Sequence, residues 1–147
     1  MRAERRELWD EIRHIDPGNE PWLLGGDFNT ILGAHERKGG AAPKIRTMED
    51  FSDMLIDCGL QDAGFEGAQF TWSRNRLWQQ LDRFLYSHTW LHSFPLTRIQ
   101  HLTINVSDHC PLLLTASDEN KKGPTLFRFQ NMWTKHHDFR NCVTTSW

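Results

Sequence analysis

The run Pro21-Trp22-Leu23-Leu24-Gly25-Gly26-Asp27-Phe28-Asn29 narrows the fold more than any other part of the sequence. Three apolar residues held between a proline and a glycine pair are too few for a helix and suit a buried strand, whose end would deliver Asp27 and Asn29. On an extended segment, residues two apart point to the same face, so a carboxylate and a neutral amide would share one site. The carboxylate can contact a metal ion or water. The amide can donate to a phosphate oxygen without adding negative charge.

The rest of the chain alternates helical and extended patterns. Residues 2–15 place Leu8, Ile12 and Ile15 at helical spacing, and Asp16-Pro17-Gly18-Asn19 breaks the pattern. Thr47 and Asp50 resemble a capping box, and Phe51, Met54, Leu55 and Cys58 share a helical face that Gly59 terminates. Residues 69–73 and 80–86 read as strands joined through Arg74-Asn75-Arg76. Trp90-Leu91 and Phe94 suggest a short helix before Pro95, and residues 97–104 and 110–115 read as two more strands. Ser107-Asp108-His109 then stands at the start of the last strand. The polar stretch Ser117 to Pro124 reads as a domain boundary, with Thr125 to Trp147 outside the core.

Phosphate-ester hydrolysis needs a cation held by carboxylates, a base for water, and donors that stabilise charge on phosphate. Asp82, in Leu81-Asp82-Arg83-Phe84, shares its strand face with Phe84 and Tyr86, where a carboxylate among aromatics wants a partner. A histidine suits, because an aspartate fixes the tautomer of a general-base imidazole. Asp108 and His109, being adjacent, reach one site only if the chain bends before Cys110. Each group also has a plain structural reading: a Gly-Asp turn, an exposed Asp82-Arg83 strand pair, a loop capped by Ser107-Asp108. Their joint occurrence at strand ends favours chemistry.

The composition removes several alternatives. A hydrophobic fraction of 38% over 147 residues, with seven Trp and nine Phe, supports a real core. A net charge of -2 gives no global basic signature, so a nucleic-acid partner would depend on local cations. Three cysteines, Cys58, Cys110 and Cys142, form no C-x-x-C pair, which argues against a disulfide framework or thiolate zinc site and favours a reducing compartment. His88 and His92 stand at i, i+4, but with His101 and Cys110 they lack the glutamate or paired cysteines of common zinc sites. No apolar leader or membrane-length run is present, so the chain is expected to be soluble and intracellular, with a nuclear location open.

The motifs, in this order, resemble the endonuclease/exonuclease/phosphatase superfamily, in which GDFN, an LDR or LDY segment and SDH recur. The chain is most similar to the apurinic-type endonuclease domain of non-LTR (LINE-type) retrotransposon polyproteins, through GGDFNTIL, the ERKGG loop, GLQDAGFEGAQFTWSR, LDRFLYS and SDHCPLLL. The resemblance implies an α/β fold: the C-terminal half of a two-sheet α/β sandwich (DNase I-like), its sheet mixed but mostly antiparallel and flanked by helices. Residues 1–115 would form that part. Residues 116–147, including Phe127 to Trp133, would be a linker and helix leading toward a reverse transcriptase.

Carried onto this chain, the resemblance places Asp27 at the attacking water or leaving group and Asn29 on the scissile phosphate. His109 would be general base or phosphate-stabilising residue, oriented by Asp82, and Asp108 would assist the metal site. The implied ion is Mg²⁺, with Mn²⁺ as substitute; no small-molecule cofactor and no membrane are implied, and the oligomeric state is left open. DNA is the implied partner, with Arg37, Lys38, Arg74 and Arg76 against phosphates and Trp72 stacked on a base or wedged in the duplex. The family's N-terminal half, with its strand ending in Asn and its principal metal-ligand Glu, has no match here, so impaired DNA-nicking activity is expected. The alternative is a noncatalytic remnant that binds nucleic acid or a partner.

Overall fold

In the computed structural model, residues 2–104, 106–118, 141 and 144 are described. Helix α1 (Arg2–Ile15) leads into β1 (Leu23–Asp27), a 3₁₀ turn (Ala34–Glu36), β2 (Arg37–Lys38) and α2 (Ile45–Asp57). Then come β3 (Leu60–Asp62), β4 (Glu66–Gly67), β5 (Trp72–Arg74), β6 (Leu77–Gln79) and β7 (Asp82–Ser87). Helix α3 (His88–Ser93), β8 (Arg98–His101) and β9 (Leu112–Thr115) follow, the last of the elements bounded among the described residues. The strands form three three-stranded sheets, β1-β7-β3, β2-β6-β5 and β4-β8-β9, antiparallel throughout except for β4 against β8. This is a mixed α/β architecture, consistent with part of a DNase I-like sandwich.

The core lies between the two long helices and the β1-β7-β3 sheet. Trp9 stacks on Phe51 with centroids 4.9 Å apart, and Phe28 closes the cluster at 5.3 Å from Phe51. Phe51 and Met54 are fully buried, each stabilising the fold by roughly 1.5–3 kcal/mol over an exposed side chain. The inward stripe of α1 is Trp9 and Ile12; Leu8 and Ile15, expected on that stripe, are exposed. Helix α2 begins after Pro43 with Lys44 as N-cap, so Thr47 and Asp50 are inside the helix and form no capping box. Asp50 instead pairs with Arg6 of α1 at 3.5 Å. Gly59, at φ +59, ends α2 in the left-handed region that favours glycine.

Alternation along β7 decides what faces what. Arg83, Leu85 and Ser87 are buried, with Leu85 in the core cluster and Arg83 over the Phe51 ring, while Asp82, Phe84 and Tyr86 are half-buried on the other face. Opposite Phe84, Gly25 leaves room for the ring: a Cβ there would stand 2.2 Å from it.

The extended stretch expected over residues 69–73 and 80–86 is cut differently. Residues 74–76 do form a connection, but a tight one: Asn75 (φ 50) and Arg76 (φ 63) make a two-residue hairpin turn between β5 and a strand the sequence did not reveal, β6. A separate break at Gln80-Leu81 starts β7, because the Gln80 and Leu81 amides leave the ladder for the Glu36 carbonyl and the Thr71 hydroxyl. No described helix is long and apolar enough to cross a membrane. The linker and helix expected over 116–147 lie almost wholly outside the described residues.

Candidate functional site

The register of β1 on β7 sets Asp27 directly opposite Asp82 at the end of the pair. Two carboxylates so placed repel each other unless donors intervene. His109 and Asn29 are those donors. His109 Nδ1 lies 2.9 Å from Asp82 Oδ2, so the ring N–H is on Nδ1 and Nε2 carries the lone pair in the neutral form. Nε2 stands 4.0 Å from Asp27 Oδ2, too far for a direct hydrogen bond. One ligand atom from each of Asp27, Asp82 and His109 falls within 4.8 Å of the others, the only such group among the described residues.

Asn29 joins Asp27 through a bend and not through the extended geometry expected from their spacing. Its backbone is left-handed (φ 52), and its amide N–H and side-chain Nδ2 donate to the two Asp27 oxygens at 2.8 and 2.9 Å. The aspartate is thus latched on both oxygens by one residue.

Thr71, fully buried, ties the two halves of the Asp82–His109 pair together. Its hydroxyl accepts from the amides of Leu81 and Asp82 at 2.9 and 3.0 Å, and its carbonyl accepts from Cys110 at 2.7 Å. The strand start at Asp82 and the segment holding His109 are therefore fixed to one residue. Sequence reasoning passed over Thr71 because a threonine in an aromatic strand reads only as β-propensity.

Adjacent Asp108 and His109 diverge. Ser107 Oγ accepts from His109 N at 3.1 Å, while Asp108 Oδ2 accepts from the Trp72 indole at 3.0 Å and its carbonyl from Ser73 N. Asp108 therefore stands outside the three-residue cluster, and the Trp72 indole is hydrogen-bonded to it. The four expected phosphate contacts gather on the β2-β6-β5 sheet: Arg37 donates to Gln79 Oε1 at 2.6 Å, Lys38 Nζ lies 5.7 Å from the Trp78 ring, and Arg74 and Arg76 are exposed at the hairpin.

Behind the site, Arg83 is not the exposed member of a strand pair that a plain reading allows. It is 1% exposed and donates to Glu36 at 2.7 Å through Nη2 and to Asp62 at 2.5 Å through Nη1. Glu36 also accepts from Leu32 N at 2.7 Å, which anchors the loop after Asn29. Strand alternation carried a signal: Arg83 shares the face of Leu85, and a buried guanidinium demands a buried carboxylate.

The charges tune His109. Partial burial pulls its pKa down, but the hydrogen bond and charge of Asp82, with the charges of Asp27 and Asp108, outweigh burial and hold it above 6.5. His101 behaves oppositely: burial lowers its pKa against a bond to the Ala68 carbonyl at 2.6 Å, and Phe65 stacks on it at 4.1 Å. His88 and His92 meet edge to face, 4.6 Å apart. None of the residues weighed for zinc joins a metal-capable group among the described residues. Cys58 and Cys110 are buried with raised pKa values, burial being the main cause, which disfavours the thiolate.

A sequence model described as the Endonuclease/Exonuclease/phosphatase family matches residues 1–109, a span that includes Asp27, Asn29, Asp82 and His109. No curated protein matches the chain.

Proposed function

The chain belongs to the endonuclease/exonuclease/phosphatase family, and on that footing we propose that it hydrolyses phosphodiesters at the Asp27–Asn29–Asp82–His109 cluster, nicking DNA as the endonuclease of a retroelement. The observation that carries the reading is the 2.9 Å bond from His109 to Asp82, which leaves Nε2 turned toward Asp27 with its lone pair unused. Water attacks phosphorus, and the ester oxygen leaves with the electron pair of the broken P–O bond and takes a proton from solvent. His109 Nε2 takes the proton from the water, Asp82 stabilises the imidazolium that forms, and Asp27 orients the water. Asn29 has a second side-chain N–H beyond the one given to Asp27, and that donor meets a non-bridging phosphate oxygen. Retroelement origin rests on the likeness of GGDFNTIL, the ERKGG loop and LDRFLYS to LINE-type endonuclease domains.

The donor set suits a hard cation, since Mg²⁺ binds through one or two carboxylates while keeping waters and substrate oxygens. Asp27 and Asp82, which lie together with His109, are the carboxylates that would hold it, with Mn²⁺ as a substitute; Asp108, expected as a ligand, stands outside that group. Bound there, the ion would neutralise charge on the scissile phosphate. Each carboxylate is already engaged, Asp27 by Asn29, Asp82 by His109 and Asp108 by Trp72. We therefore expect weak cation affinity and slow turnover. Nicking of supercoiled plasmid in Mg²⁺ tests the reading: His109→Ala should lower the rate roughly a hundredfold or more. Nicking that survives the substitution, or DNA binding with no nicking under any divalent cation, would overturn it.

A further inference from the structure

Adjacent residues on an extended chain point to opposite sides, so some contact must decide which of Asp108 and His109 enters the hydrolytic cluster. Trp72 touches both. It stands opposite His109 across an isolated antiparallel bridge, with the two ring centroids 6.4 Å apart, and its indole Nε1–H donates to Asp108 Oδ2 at 3.0 Å. The backbone repeats the pairing on either side: Ser73 N donates to the Asp108 carbonyl at 3.1 Å, and Cys110 N to the Thr71 carbonyl at 2.7 Å. The segment that holds His109 is thus laid along the edge of β5 that β6 leaves free.

The side-chain bond sorts the pair. Asp27 and Asp82 already face each other at the end of the β1–β7 ladder, and a third carboxylate among them would add repulsion. An indole donates one hydrogen bond, accepts none and carries no charge, so it can hold Asp108 away from that group without joining it. Among the described residues, the Trp72 indole is the one donor to the Asp108 carboxylate, which is otherwise exposed. Ser107 Oγ accepts from His109 N at 3.1 Å and fixes the same bend from the other end.

We propose that Trp72, acting through Asp108, is a positioning residue for His109: the indole draws the Asp108 carboxylate out of the metal-capable group and so sets the imidazole into it. Asp108 is then a hydrogen-bond acceptor and not a cation ligand, and Trp72 is engaged by the protein instead of stacking on substrate. The inference rests on the hydrolytic reading of Asp82 and His109. It adds to that reading the reason why the second residue of the Asp108–His109 pair, and not the first, meets Asp82.

The test combines nicking kinetics in Mg²⁺ with NMR of the His109 imidazole at alkaline pH, where the ring is neutral. The full chain is compared with Asp108→Ala, Asp108→Asn, Trp72→Phe and the double variant of Trp72→Phe with Asp108→Ala. Asp108→Ala and Trp72→Phe should each lower kcat roughly tenfold with KM unchanged, since a misplaced base slows the chemistry and not the binding. The double variant should be no slower than Asp108→Ala, because both changes remove one bond. Asp108→Asn keeps the acceptor without the charge, so it should restore kcat and the imidazole resonances that Asp108→Ala displaces. Failure of Asp108→Asn to rescue would make the charge, and with it a cation-ligand role, the function of Asp108. A raised KM in Trp72→Phe would return the ring to substrate stacking, and either result overturns the proposal. The two readings separate: nicking that survives His109→Ala condemns the hydrolytic cluster and leaves the NMR comparison to decide the positioning, while imidazole resonances unmoved in Asp108→Ala condemn the positioning alone.

Discussion

Asp82 and Arg83 are neighbours on β7, yet they head opposite kinds of charge cluster. On the buried face, Arg83 is held by Glu36 and Asp62, and Glu36 accepts a further backbone N–H. Burial works against the guanidinium charge, but the two carboxylates outweigh it and its pKa is raised. On the other face, Asp82 holds one nitrogen of His109 while the second faces Asp27 across 4.0 Å. The first cluster binds one guanidinium with two carboxylates and joins the 3₁₀ turn to two strands. The second keeps an unused lone pair where solvent reaches it. One strand, through its alternation alone, separates a brace from a site.

The largest effect expected from this division is on stability. Arg83→Ala leaves Glu36 buried without its cation and should destabilise the fold by about 3–5 kcal/mol, read from urea unfolding. Asp82→Asn should change unfolding little while lowering nicking at least tenfold. Equal destabilisation by the two would erase the distinction between the faces.

A smaller effect is expected where the site is tied to the fold. Thr71→Val removes the acceptor for two buried amides, a loss of about 1–3 kcal/mol. It should also shift the His109 titration followed by NMR, because the Asp82 strand is no longer tied to the His109 segment. Thr71→Ser should restore both. A stability loss with an unmoved His109 titration would make Thr71 merely structural.

The smallest effect is the pH dependence. His109 has a raised folded pKa, so its contribution to stability is fully present below 6.5, its ordinary value, and is lost as pH rises through the folded value. The stability gap between the wild type and Asp82→Asn should therefore be widest in acid and close toward alkaline pH. The acidic limb of nicking should move to lower pH in Asp82→Asn, since the imidazole then loses its proton more readily. A limb that stays put would detach His109 from the proton transfer.

Much of this division could be read from the amino acids, and the unread part has identifiable causes. Helix α2 was legible because Phe51, Met54, Leu55 and Cys58 repeat at helical spacing and Gly59 stops them. Asp27, Asp82 and His109 are singled out by their positions at strand ends and by the order of their motifs, whereas the left-handed bend that brings Asn29 onto Asp27 carries no sign in the spacing. Strands β2, β3, β4 and β6 are two or three residues long, too short to display any period. The Glu36–Arg83 pair spans 47 positions, and neither residue carries a local sign of its partner. The break before β7 was hidden because tertiary bonds from Gln80 and Leu81, with no glycine or proline nearby, end the ladder.

The Phe84 ring occupies the space a Cβ at position 25 would need. Position 25 is exposed, so accessibility alone would rank it among the freely variable sites. In this background alanine enters there only if the ring swings off the strand, whereas residue 84 can become smaller at any time. Substitution at the two positions has a preferred order, and a position that resists change beside Phe84 would become permissive once a smaller side chain stood opposite.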